Sequence, residues 1–114
     1  LKVTVYSVSE LGCDANGCNE SFNFTVKNIG NGSAYNFTDY LNVTGPTTFG
    51  QSYFVSSLDA GASVYHATTM YLLNGNYDSY AFADLFNVVS ESNEVNNVKA
   101  KAFCVPLSPC LGGA

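Results

Sequence analysis

Four cysteines, at positions 13, 18, 104 and 110, are the residues in this chain with the clearest covalent chemistry. Four thiols allow three pairings, and the short separations favour Cys13–Cys18 and Cys104–Cys110, each closing a small loop. The competing chemistry is thiolate ligation of Zn²⁺. Structural zinc is usually held by Cys-x2–4-Cys knuckles, whereas the rest of this chain has the character of a protein from an oxidising compartment, where disulfides persist. Two local disulfides and no metal are therefore expected.

Asparagine carries the second pattern. Asn-x-Ser/Thr sequons occur at Asn19, Asn23, Asn31, Asn36 and Asn42, five of the seven asparagines before residue 45, and none of the six later asparagines is one. With 20 Ser and Thr in 114 residues, chance places about one sequon among seven asparagines. Modification of Asn23, Asn36 and Asn42, which share the outward phase of their strands, is expected to coat one sheet face with sugar. Unmodified outward Asn and Thr, as ordinary strand decoration, is the simpler reading of the same pattern.

Acid chemistry is thin. Asp84, Glu91, Asn93 and Glu94 form the one dense acidic and amide patch, and oxygen ligands from one loop can hold Ca²⁺. No EF-hand-like spacing is present, so side chains that bond their own turn are the stronger reading. Asp39 falls on the apolar phase of its strand, which calls for a buried pairing with Lys or a bulge. His66 is a lone imidazole, read as a packing residue. Catalysis has little to work with, because the chain holds one His, no Trp and no Arg. A non-enzyme without cofactor is expected.

Charge excludes further classes. Four Lys face nine acids, giving a net charge of −5. Phosphate backbones are bound by clustered cations and bidentate arginines, so nucleic acid is not a partner, and an anionic membrane surface is disfavoured on the same ground. No apolar run approaches the length of a membrane span. The 46% hydrophobic and 14% aromatic content supports a folded core rather than disorder.

The elements that must position these residues read as strands of period two. The first, about 2–8, places Val3 and Val5 on one face and Thr4 and Tyr6 on the other. A Cys-bounded loop with an Asn-Gly turn leads to a second strand, about 20–29, with Phe22, Phe24 and Val26 inward. A third, about 34–44, aligns Tyr35, Phe37, Leu41 and Val43. Further strands follow at about 51–57, 62–72, 77–86 and 98–105. Both faces of the fifth compete for burial, and Asn74-Gly75-Asn76 signals a hairpin. Seven short strands with regular turns predict an all-β, seven-stranded antiparallel immunoglobulin-like β-sandwich over 1–105, with 106–114 as a linker or stapled tail. A closed barrel is the second choice.

Three stretches stand out: Phe24-Thr25-Val26-Lys27-Asn28-Ile29-Gly30-Asn31-Gly32-Ser33-Ala34; Gly75-Asn76-Tyr77 with Ala81-Phe82-Ala83-Asp84; and Val89-Ser90-Glu91-Ser92-Asn93-Glu94-Val95-Asn96-Asn97. Together they resemble the CARDB family of cell-adhesion-related domains. The last is the specific one. The resemblance implies a seven-stranded sandwich of bacterial or archaeal surface proteins, often in tandem, with no catalytic residues to carry over. The cysteines depart from the family pattern.

A non-catalytic extracellular or cell-surface structural module is the leading functional reading, as a glycosylated filament subunit or an adhesin repeat. A carbohydrate-binding module that stacks sugars on exposed tyrosines is the alternative. The sixth strand turns small residues inward and leaves Tyr80 and Phe82 outward, joined by Phe86 if the strand continues. Such a patch invites cover. With strand addition along Lys2, Val3, Thr4 and Val5, it predicts head-to-tail assembly with copies of itself or neighbouring repeats.

Overall fold

The protein is described by a computed structural model over residues 1–84 and 98–106. Seven strands occur there: β1 (Lys2–Cys13), β2 (Gly17–Lys27), β3 (Ala34–Thr44), β4 (Phe49–Leu58), β5 (Ser63–Leu73), β6 (Gly75–Phe82) and β7 (Val98–Val105). They form two antiparallel sheets, β1-β2-β5 and β4-β3-β6-β7, packed as an immunoglobulin-like sandwich. Among the described residues no helix is long and apolar enough to cross a membrane.

Alternation builds the core. Phe22, Phe24 and Val26 of β2 are buried against Phe37, Leu41 and Val43 of β3 and Ala81 of β6. Phe22 meets Phe49 and Phe103 edge-on at 5.5 and 5.8 Å, and Tyr77 stacks on Phe103 at 5.3 Å. These offset and edge-to-face contacts are the geometries that aromatic quadrupoles favour. The small inward phase expected of β6 holds: Tyr77, Ser79 and Ala81 are buried.

Two facing assignments change, and one left open is settled. Val3 is buried but Val5 is 57% exposed, because the β1–β2 register shifts between Val3 and Val5. One extra residue reverses every later side chain, so Tyr6 and Val8 pack on the core instead. Tyr35, expected in the core, is 62% exposed. Asn36 has φ of 54°, a conformation Asn tolerates better than most residues, and it resets the phase so that Ala34 and Phe37 both point inward. On β5 the even positions are inward, including His66 and Leu72.

Only local turns give hairpins. β1–β2 and β3–β4 are hairpins, whereas β2–β3, β4–β5 and β5–β6 pass from one sheet to the other. Asn74-Gly75-Asn76 is thus a corner between sheets and not the expected hairpin. The stretch Asn28–Gly32 is likewise a crossover, fastened by buried Asn28. Its Nδ2 donates to the carbonyls of Gly32 and Leu58, at 2.9 and 2.8 Å, and its Oδ1 accepts from Gly30 N at 3.0 Å.

Candidate functional site

The Cys13–Cys18 disulfide forms as expected, across a register pair at the end of the β1–β2 hairpin. Cys104 is also disulfide-bonded, while Cys110 lies outside the described residues. Glu10, Cys13 and Cys18 offer ligand atoms within 4.8 Å of one another, but the two sulfurs are bonded to each other and are not thiolates, so this trio does not hold zinc.

The hairpin tip is held by a residue that sequence reading passed over. Asp14 Oδ1 accepts from the backbone N–H groups of Asn16 and Gly17, at 2.8 and 3.0 Å, and from the hydroxyl of Tyr71 at 2.8 Å. The Tyr71 bond, then the two backbone bonds, hold the Asp14 carboxyl below its ordinary range. The same bond pushes the Tyr71 phenol up. Asn74 completes the knot, its Nδ2 donating to Ala15 O at 3.0 Å. An Asp at the start of an Asn-Gly turn was the available signal.

Inside the sandwich, Asp39 is fully buried and pairs with His66, not with Lys. His66 Nε2 lies 2.7 Å from Asp39 Oδ2, and Asp39 Oδ1 accepts from Asp84 N at 3.0 Å. The His66 ring stacks on Tyr53 at 4.4 Å and tilts against Phe24 at 5.0 Å. A second, half-buried bridge runs from the Tyr6 hydroxyl to Ser79 Oγ at 2.6 Å, and from Ser79 Oγ to Lys101 O at 2.7 Å. Burial pushes the Tyr6 phenol up to about 12, with the Ser79 bond opposing it. Both bridges join the sheets. Of the expected calcium ligands, Asp84 is buried beside Asp39, and Glu91, Asn93 and Glu94 lie outside the described residues.

The outer faces differ in character. On β1-β2-β5 the outward residues of β2 include Asn19, Asn23 and Thr25, and Tyr65 donates to Asn23 Oδ1 at 2.7 Å. On β4-β3-β6-β7 the outward phase carries Phe54, Tyr40, Tyr80, Phe82, Val98 and Ala100 in adjoining register positions. Tyr80 and Phe82 lie 6.1 Å apart. Tyr80 is clearly exposed and Phe82 half-buried, while Phe86 lies outside the described residues. The charge in this outward phase is Asp78, at the margin.

The sequons therefore divide between the two sheets rather than coating one. Asn19 and Asn23 lie on β2, Asn36 and Asn42 on β3, and Asn31 on the exposed β2–β3 crossover. Asn42 sits directly opposite Tyr80. Of the expected β1 contact residues, Lys2 and Val5 are exposed, and Thr4 is half-buried with its hydroxyl 3.4 Å from Thr25 O. Val3, buried in its own core, is unavailable to a partner.

The CARDB family model matches residues 3–101, from the start of β1 into β7. The chain belongs to the CARDB family. CARDB is a non-enzymatic, immunoglobulin-like and adhesion-related family of surface-associated proteins. No curated protein and no solved structure matches the chain. In this CARDB domain the outward faces carry aromatics and sequon asparagines, while Asp39 and Asp84 are buried in structural bonds.

Proposed function

We propose that this CARDB domain is a non-catalytic extracellular module that assembles head-to-tail with copies of itself or with neighbouring repeats, as a filament subunit or an adhesin repeat. The observation that carries the reading is the outward face of β4-β3-β6-β7, where Tyr40, Phe54, Tyr80, Phe82 and Val98 adjoin with Asp78 as the charge at its margin. Most soluble domains avoid an apolar face of this kind unless something covers it. A second copy fits because the face itself carries little charge, so the net charge of −5 is not concentrated there.

The other half of a heterologous contact is β1, which among the described residues pairs with β2 along one edge alone. Register shifts near each end of β1 leave a regular run from Val5 to Glu10 between them, and regular edges accept further strands. Two different surfaces meeting in this way give an open array and not a closed dimer.

Glycans belong in this reading on the opposite face, at Asn19 and Asn23, and on the exposed Asn31 and Asn36. Asn42 is the exception, because a glycan there would lie over Tyr80. The sugar-stacking alternative has weaker support: Tyr65 and Tyr71 are outward on the other sheet, with their hydroxyls bonded to Asn23 and Asp14.

Sedimentation across a concentration series tests the assembly. Wild-type chains should form species that grow with concentration, and Tyr80→Ser with Phe82→Ser should leave monomers of unchanged stability. Wild type that stays monomeric at high concentration, or native material carrying a glycan on Asn42, overturns the proposal. Peptide-level mass spectrometry of native material reads the remaining sequons.

A further inference from the structure

The inward phase of β2 runs Cys18, Glu20, Phe22, Phe24, Val26. Glu20 is the acid in that row. Its exposure is 0%, and neither carboxyl oxygen has a hydrogen-bond partner. An ionised carboxylate in that position lacks both water and donors, which is among the most unfavourable placements a side chain can take. Its register partner on β1 is Glu10, another acid. Like charges placed directly opposite on antiparallel strands repel.

We propose that Glu20, with Glu10 opposite it, forms a proton-binding carboxyl pair at the disulfide-clasped end of the sandwich, so that the domain is tightened by acid and loosened by mild alkali.

The surroundings favour a proton over a cation. Met70, the β5 register partner of Glu20, carries no charge, nor do its inward neighbours Thr68 and Leu72. The opposite sheet presents Phe49 and Phe103 to Phe22, and the Tyr77 hydroxyl is committed to Leu73 O at 2.6 Å. Lys101 of β7 pairs with Ser79 and is exposed to solvent. The adjacent Cys13 and Cys18 are joined and do not titrate. Ca²⁺ takes 6–8 oxygens, and this pair supplies two carboxyls.

Burial first, and then the nearby charge of Glu10, push the Glu20 carboxyl from 4.5 up to about 7. Folded chains therefore hold more protons than unfolded chains between those values. By linkage, the stabilisation is complete below about 4.5 and is lost as pH rises through about 7. Asp14 acts with the opposite sign, since its carboxyl is lowered from 3.8, and its effect is confined to more acidic conditions.

Thermal unfolding of the disulfide-intact chain at pH 5 and pH 8, at equal ionic strength, tests the proposal. The midpoint should be several degrees higher at pH 5. Glu20→Gln should flatten the dependence and raise the midpoint at pH 8, and Glu10→Gln should weaken it. An equal or higher wild-type midpoint at pH 8, or an unchanged dependence in Glu20→Gln, overturns the pair. Should Glu20→Gln fail to fold, carboxyl-carbon NMR of the wild type decides: a Glu20 titration midpoint near neutrality supports the proposal, and one below 5 overturns it. A midpoint raised at pH 8 by CaCl₂ in wild type but not in Glu20→Gln assigns the pair to a cation and also overturns it.

Discussion

His66 of β5 and Asp39 of β3 meet across the interior, Nε2 to Oδ2 at 2.7 Å, and tie the three-stranded sheet to the four-stranded one. The same carboxylate takes the N–H of Asp84 at 3.0 Å. Asp39→Ala strips a partner from two buried groups at once. Each buried group left without its hydrogen-bond partner costs about 1–3 kcal/mol, so chemical denaturation should show a loss of about 2–5 kcal/mol. A loss below about 1 kcal/mol, the scale of an exposed pair, would refute the structural role of this bridge.

Asn28 holds the β2–β3 crossover against the β4–β5 turn through three side-chain bonds. Two further main-chain bonds, Asn28 N to Ala62 O and Gly61 N to Asn28 O, at 2.9 and 2.7 Å, survive its truncation. Asn28→Ala therefore leaves the backbone paired but orphans the Gly30 amide and two carbonyls. A loss of about 2–3 kcal/mol follows from the lost bonds and desolvated groups. Equilibrium unfolding with an unchanged denaturant slope is the check.

Gly17 and Gly50 are both in close contact, yet their substitutions should differ. A Cβ at Gly17 would meet the backbone carbonyl of Leu72, across the β2–β5 ladder. At Gly50 it would meet the phenol end of Tyr40, a side chain free to swing outward. Gly17→Ala is expected to destabilise by about 1–3 kcal/mol, the range for overpacking a closed site. Gly50→Ala should stay within about 1 kcal/mol. The rank order of their thermal midpoints is the test, and the reverse order refutes the argument.

Replacing both Cys13 and Cys18 by Ser should lower stability by about 2 kcal/mol, acting mainly on the unfolded chain. The Asp14 bonds to Asn16, Gly17 and Tyr71 remain to shape the tip. Amide exchange should accordingly quicken between Glu10 and Glu20 and stay slow at Phe22–Val26. Uniformly faster exchange along β2 would show that the disulfide clasps the whole sheet and not its end.

What the sequence determined by itself was local. Phe22, Phe24 and Val26 alternate with polar residues, and burying one face of β2 admits no other register. Tyr77, Ser79 and Ala81 define the inner face of β6 in the same way, and Cys13 and Cys18 are close enough in the chain to have no nearer partners. The resemblance to CARDB is likewise carried by short stretches of adjacent residues.

Tertiary structure decided everything that depends on a phase reset or on a distant neighbour. A bulge separates Val3 from Val5, and the positive φ of Asn36 separates Tyr35 from Phe37; each reverses a face while leaving the residue types unchanged. The polarity of β5 is balanced enough that its inner face is set only by what lies opposite. Asn74-Gly75 encodes a sharp turn, but turn chemistry is blind to which sheet the chain enters next. Asp39 and His66 are 27 residues apart, on strands of different sheets, and Glu20, on the inward phase of β2, meets a second acid only through the β1–β2 register that places Glu10 opposite it. Alternation fixes relative facing within one strand; pairing between strands comes from the free energy of the whole packed sandwich.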